Sequence, residues 1–336
     1  MTVAADLRLH GDKLGAADLL DFAVNVWPGE RPDGLASALE RALHDPRYPD
    51  ERPAREAVAA RYARPVDEVL LLNGACDAFW LLAQTLRPRH AACVDPSFTE
   101  SEAALRAVGC DVERVFLDGD DWSLEPDDVS DLAELVVVCN PNNPTGRLEP
   151  TSALRRLLRP GRLVVVDESF MDFVPDGSES LAEARLSGVV VIRSLTKLWS
   201  LAGVRAGYLL ADPDLVAALA ASRQPWSINA LACSALEWCA VDRQTPIAVA
   251  TAVAIARAQL SEDLAALGLT VWPSAANFLL LELPGAEEVA RRLRERGIAV
   301  RPAASFPGLG PDHLRIAVRR PEENALLLAA LREVLA

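Results

Sequence analysis

Short apolar runs recur along this chain, and each ends in polar residues. LVVVCN (Leu135 to Asn140), LVVVDESF (Leu163 to Phe170) and VVVIRS (Val189 to Ser194) are continuous instead of alternating. β-Branched runs with no polar alternate predict strands buried on both faces. Between them the spacing turns helical. VLLLNGACDAFWLLAQTL (Val69 to Leu86) predicts a strand, a glycine turn and an apolar helix. AACVD and DVERVFL read as strands on either side of the helix SFTESEAALRAVG, and Thr151 to Leu158 reads as a short helix. Strands and helices alternating in this way imply βαβ units and a mostly parallel sheet.

The ends of the chain follow other patterns. LLDFAVNV predicts a short strand in an extended N-terminal arm, followed by a helix from Leu35 to Leu43. HDPRYPDERP is a loop by its proline and charge, and helix resumes from Ala54 to Ala63. PWSINALACSALEWCAV breaks at its proline and then runs as a helix, and a second helix spans Ala248 to Leu267. Beyond it come the strand VWPSAANFLLLEL, the amphipathic helix EEVARRLRERG, the strands IAVRP and HLRIAV, and the closing helix PEENALLLAALREVLA. The fold class is therefore α/β. We expect a large domain over 35–242 with a mostly parallel sheet flanked by helices. A small α+β domain is expected over 243–336, joined by an arm over 1–34.

Polar groups cluster where the buried strands stop. VVVIRS leads straight into Ser194, Thr196 and Lys197, with Arg205 shortly after. Open α/β sheets bind ligands at the carboxyl ends of their strands. A Lys, a Ser, a Thr and an Arg there can hold an anionic cofactor by its phosphate while the amine bonds covalently. A helix starting at Gly74 or Ala75 turns its free N–H groups and positive dipole end to the same rim, a second anion site. Asn143 and Asp167 also fall just past or at strand ends; taken alone, each also reads as a helix cap.

Bulk composition narrows the alternatives. With 336 residues, 51% hydrophobic and 24% charged, the chain supports a sizeable core and is not a disordered sequence. A net charge of −14 argues against a nucleic-acid partner. The six cysteines form no C-x-x-C pair and sit largely in apolar runs, so they read as buried free thiols. The four histidines lack metal-ligand spacing, and no metal is expected. No signal-peptide or membrane-spanning pattern is present, which makes the cytoplasm the expected compartment.

CNPNNPTG (Cys139 to Gly146), VVDESF (Val165 to Phe170), RSLTK (Arg193 to Lys197) and Arg205 occur in that order. Together they resemble the fold-type I aminotransferase superfamily (class I/II), which uses pyridoxal 5′-phosphate. The resemblance implies that Lys197 joins the cofactor covalently and that Asp167 faces its pyridine nitrogen. It implies that Asn143 donates to the ring's phenolate oxygen. Ser194, Thr196, Arg205 and the amides of Ala75 and Cys76 are then expected to cradle the phosphate. Tyr48, in RYPD, matches a tyrosine that reaches that phosphate from a partner subunit, so a homodimer is implied.

Within the superfamily the chain looks most like the threonine-phosphate decarboxylases of cobalamin synthesis. LHG, LLDFAVNV, PWSINALA, VRPAASFPGLG and LRIAVR carry that likeness, as does Phe170. On this basis His10, Gly11, Asn25, Arg301 and Arg315 hold a phosphorylated small amine or amino acid. Arg301 and Arg315 alone also read as solvated strand ends, and His10 as a surface residue. Histidinol-phosphate aminotransferase or a related amino-acid aminotransferase is the alternative, and a non-catalytic cofactor-binding protein a further one. The chain departs from the family pattern at Asp12, at Trp27 and at Ser101, where a ring-stacking tyrosine is expected. Phe98 and Trp80 are candidates to fill that space, and Trp27 to line or narrow the substrate pocket.

Overall fold

The computed structural model describes residues 7, 11–15, 18–117 and 121–336, with the side chain of residue 12 left aside. Its centre is a seven-stranded sheet. The strands are β2 (Val69–Asn73), β3 (His90–Asp95), β4 (Asp111–Phe116), β5 (Leu135–Cys139), β6 (Leu163–Asp167), β7 (Val189–Ser194) and β8 (Ala206–Leu210). They lie in the order β2-β8-β7-β6-β5-β3-β4. β8 runs antiparallel to β2 and β7, and the pairs among β3 to β7 and β4 are parallel.

The valine runs are explained by what each face meets. Val190 and Ile192 point into one apolar cluster with Leu70, Leu72 and Val165, beneath the helices Cys76–Leu86, Glu100–Ala107 and Pro213–Ser222. Val189 and Val191 point into the other, with Val69, Leu71, Val164 and Val166, beneath Arg52–Arg61, Ala230–Val241 and Gln244–Ala266. Both faces are dry, so alternation disappears. Each such side chain stabilises the fold by roughly 1.5–3 kcal/mol relative to exposure.

Four further strands form an antiparallel sheet in the order β12-β13-β10-β9: β9 (Thr270–Val271), β10 (Phe278–Glu282), β12 (Arg301–Pro302) and β13 (His313–Ala317). The helices Ala286–Glu295 and Pro321–Leu335 belong to the same stretch of chain. The arm contributes only β1 (Leu20–Asp21), parallel to β11 (Ile298–Ala299). LLDFAVNV is therefore not one strand. The Asp21 carboxylate accepts from the amides of Ala23 and Val24 at 2.7 and 3.0 Å, and this local turn ends the pairing. Among the described residues no helix is long and apolar enough to cross a membrane. All six cysteines are free, and all but Cys76 are buried.

One buried acid in the sheet gives a pH-dependent prediction. Asp95 ends β3 with Arg114 Nε 3.9 Å from its Oδ2, too far for a hydrogen bond. Burial, together with the neighbouring Glu102 carboxylate, pushes its carboxyl up to about 7, against the pull of Arg114 and the Ser97 amide. A carboxyl raised on folding contributes stability that is complete below about pH 4 and lost as pH rises through its folded value. Asp95→Asn removes that loss. Urea unfolding should show the variant gaining on the parent between pH 4 and 8, by about 2–4 kcal/mol. A gap that is flat or narrows with pH refutes the assignment.

Candidate active site

The carboxyl ends of β5, β6 and β7 bring the polar motifs together. In CNPNNPTG the asparagines divide the work. Asn140 exchanges hydrogen bonds with the Glu149 backbone at 3.1 and 2.8 Å. Asn142 ties Pro96 to Thr145. These two hold the loop and leave Asn143 facing a cavity of about 570 Å³. The Asn143 Oδ1 accepts from Arg315 Nη1 at 2.5 Å, so its amide nitrogen is the end turned away from that arginine.

Asp167 is the last residue of β6 and is buried. Burial raises its carboxyl above the usual range, while Ser169 and the Lys197 charge pull it down. Ser169 supplies both its amide and its hydroxyl to Asp167 Oδ1, at 3.0 and 2.5 Å. The neighbouring Arg193 does not face the cavity. Its guanidinium is buried and pairs with Glu168 at 2.8 Å and with Asp172. That pair staples the ends of β6 and β7, the strands that deliver Asp167 and Lys197. Removing one partner of such a buried pair costs about 3–5 kcal/mol.

Lys197 lines the cavity, with its Nζ 5.8 Å from the centre of the Phe170 ring. Its backbone carbonyl accepts from the Trp27 amide at 3.0 Å, which anchors the arm. Ser194 Oγ and Thr196 Oγ1 are 2.7 Å apart beneath it. Across β8, Leu72 pairs with Gly207 and Asn73 with Ala206, which places the turn at Gly74 beside Arg205. Gly74 has φ +80, and a Cβ there would sit 2.4 Å from Arg205 Nη2. Only glycine allows this turn and this approach together. The helix begins at Cys76, so its first amides lack intrahelical partners. Cys76 lines the cavity, and burial and Glu100 push its thiol up to about 12.

The small sheet closes the other side. Arg301 and Arg315 are opposite each other on β12 and β13, and both line the cavity. Arg315 also donates to the Ala23 carbonyl at 2.7 Å. Burial and the nearby Arg301 lower it to about 9. Asn25 lines the cavity with neither side-chain atom hydrogen-bonded, and Gly11 lies against Ala23 and Arg315.

Of the residues expected from the sequence, the structure thus gathers Gly11, Asn25, Cys76, Asn143, Lys197, Arg205, Arg301 and Arg315 around one cavity. Asp167, Ala75, Ser194 and Thr196 are not in the lining; Ala75 and Thr196 adjoin the lining residues Cys76 and Lys197 in the chain, and Asp167 and Ser194 end β6 and β7. Tyr48 is elsewhere: it is 76% exposed and stacks on Trp226 at 4.7 Å. His10 lies outside the described residues.

Two expectations are corrected. Ser101 is buried against Cys93 Sγ and the Phe98 carbonyl, and of the two candidates to fill the ring space Phe98 lines the cavity. Trp80 is not in the lining but donates to Glu100 Oε2, which is. Trp27 does not line the cavity either; it folds over Gly29. Glu100, Ser305 and Phe306 line the cavity without having been expected. The last two lie in VRPAASFPGLG, four and five residues past Arg301, a stretch that carries the family likeness without assigning either of them a role.

A mostly parallel sheet with an aspartate and a lysine at adjoining strand ends, beside a small α+β sheet, is the fold-type I arrangement of pyridoxal-phosphate enzymes. The chain belongs to the aminotransferase class I and II family, which it matches over residues 17–331. It is 43% identical over 335 residues to a histidinol-phosphate aminotransferase of Mycobacterium bovis, covering 98% of this chain and 91% of that one. It is 33% identical over 336 residues to the threonine-phosphate decarboxylase of Salmonella typhimurium, covering 94% and 91%. The fold matches the histidinol-phosphate aminotransferase structure from Clostridium acetobutylicum with a TM-score of 0.88 at 26% identity, covering 94% and 99%. The protein is an enzyme of this family, with pyridoxal 5′-phosphate as its cofactor, which sets aside a non-catalytic role.

The residues present fit that cofactor. The Gly74 turn leaves an opening that a Cβ would fill, backed by a guanidinium and a helix N-terminus. A buried carboxylate is retained at the end of β6 despite its desolvation cost. The Asn25 amide has no partner within the protein's described residues and opens onto the cavity.

Proposed function

We propose that this enzyme is a histidinol-phosphate aminotransferase. The observation that carries the reading is the 43% identity to such an enzyme across nearly the whole chain, against 33% to the decarboxylase. That order reverses the preference formed from the motifs. The cavity supports a phosphorylated substrate, since Arg301, Arg315 and Asn25 all line it.

When bound, pyridoxal 5′-phosphate supplies an electron sink for the bond that breaks at the substrate's α-carbon. Lys197 would hold the cofactor covalently, and its Nζ, lining the cavity, would serve as the base that takes and returns the substrate's α-proton. Asp167 keeps a proton on the ring nitrogen, and Ser169 fixes the carboxylate that does so. Asn143, held through its oxygen by Arg315, would have its amide nitrogen free to donate to the ring oxygen. Ser194, Thr196, Arg205 and the amides of Ala75 and Cys76 take the cofactor phosphate. Gly11, Asn25, Arg301 and Arg315, with His10, take the substrate's polar groups. The exposed Tyr48 completes the site of a second copy, so the working unit is a homodimer. The domain limits of 35–242 and 243–336 are part of the same reading.

A second reading, threonine-phosphate decarboxylase, has one observation in its favour. Two arginines suit a substrate carrying both a carboxylate and a phosphate. The test gives the holoenzyme L-histidinol phosphate with 2-oxoglutarate, and separately O-phospho-L-threonine. Glutamate from the first and no carbon dioxide from the second is the expected result. The opposite pattern overturns the aminotransferase reading.

A further inference from the structure

Arg301 and Arg315 are direct cross-strand partners, and both are buried. Like charges directly opposite on neighbouring strands repel, with Cβ atoms roughly 4.5–5.5 Å apart. Among the described residues Arg315 pairs with no carboxylate; its acceptors are Asn143 Oδ1 and the Ala23 carbonyl. Both guanidinium carbons lie over one aromatic ring, that of Phe306, at 5.3 Å from Arg301 and 5.8 Å from Arg315. The residue before it, Ser305, accepts from Arg301 Nη2 at 2.6 Å. Phe306 itself is held by a turn, its amide donating to the Ala303 carbonyl at 2.9 Å, and by an apolar cluster with Leu280 and Leu309.

We infer that Phe306 is a positioning residue: its ring face holds Arg301 and Arg315 apart as a two-pronged anion site, and so sets the cavity's preference for a phosphate-bearing substrate. The inference rests on the substrate class proposed above. The ring attracts each cation through its quadrupole without neutralising either, which a carboxylate in the same place would do. The ring thus orients both guanidinium groups without cancelling the charge of Arg315. An aliphatic side chain such as leucine fills much of the cluster but offers no such face.

The test uses the holoenzyme, whose own cofactor phosphate fills the cradle at Arg205, so that added inorganic phosphate reports on the arginine pair. Calorimetric titration should show Phe306→Leu binding inorganic phosphate about tenfold more weakly than the parent. Its KM for histidinol phosphate should rise by a similar factor with kcat within about threefold. Phe306→Tyr, which keeps the ring, should stay within about threefold of the parent in both. Phosphate binding by Phe306→Leu equal to the parent's overturns the inference. So does equal loss in both variants, which marks plain packing, or a parent holoenzyme that binds no phosphate. A parent that binds phosphate but does not turn over histidinol phosphate sinks the proposed function alone, and the titration still judges Phe306.

Discussion

Lys197→Ala is expected to fold and to lose turnover by at least about 10³-fold, since the proposed roles of this side chain are both covalent anchor and base. The reason to expect an intact fold is local. What Lys197 gives the structure is its backbone carbonyl, which anchors the arm through the Trp27 amide and survives the substitution. The side chain is half-buried and lines the cavity, so its loss leaves no core void. Circular dichroism and the unfolding midpoint of the apoprotein should match the parent, while glutamate formation from histidinol phosphate and 2-oxoglutarate should vanish. The same variant tests the dimer. Tyr48→Ala should also be impaired, because a ring this exposed has its proposed role in a second copy's site. In a twofold dimer, mixing two variants defective in different parts of a shared site regenerates one whole site in half of the molecules. Unfolding and refolding the two together should therefore return roughly a quarter of parental activity. No gain on mixing means that each chain carries a complete site by itself.

The sequence carried the frame of this molecule because its physics is local. Val189 to Ile192 are buried on two faces, and no other reading of four β-branched residues before a polar cluster is as economical. What it did not carry depended on partners distant in the chain. β8 is not legible in the sequence because AGYLL is short and contains a glycine, and its strand character comes from filling the slot between β2 and β7. The helix Pro213–Ser222 carries its own signal in Asp212-Pro213 and the apolar spacing behind it. Ser101 illustrates a finer limit. Whether a residue at the start of a helix faces a cavity or the core depends on the angle of entry. Here that angle turns Ser101 to Cys93 and gives Phe98 to the cavity. Phe306 was invisible for a related reason. Its value lies in two arginines on different strands meeting over one ring, and no spacing encodes that.

Asp167→Asn should separate catalysis from stability by moving them in opposite directions. In the protein without cofactor, the buried carboxyl is raised above its ordinary range, so ionising it near neutral pH costs stability. An amide of the same shape avoids the charge and can keep both bonds from Ser169 through its oxygen. The apoprotein of the variant should therefore unfold at a higher urea concentration than the parent at pH 8, with the gap closing toward acid, where the parent's carboxyl is itself protonated. With cofactor bound, the sign reverses. A neutral amide cannot hold a proton on the ring nitrogen, and the lost ion pair is buried. Breaking a buried pair costs about 3–5 kcal/mol. At about 1.4 kcal/mol per decade, kcat should fall roughly 10²–10⁴-fold. The measurement is kcat at full cofactor occupancy, with occupancy followed by absorbance. A variant that turns over within about threefold of the parent shows that Asp167 does not face the ring nitrogen. A variant that loses both activity and apoprotein stability shows that its role is structural.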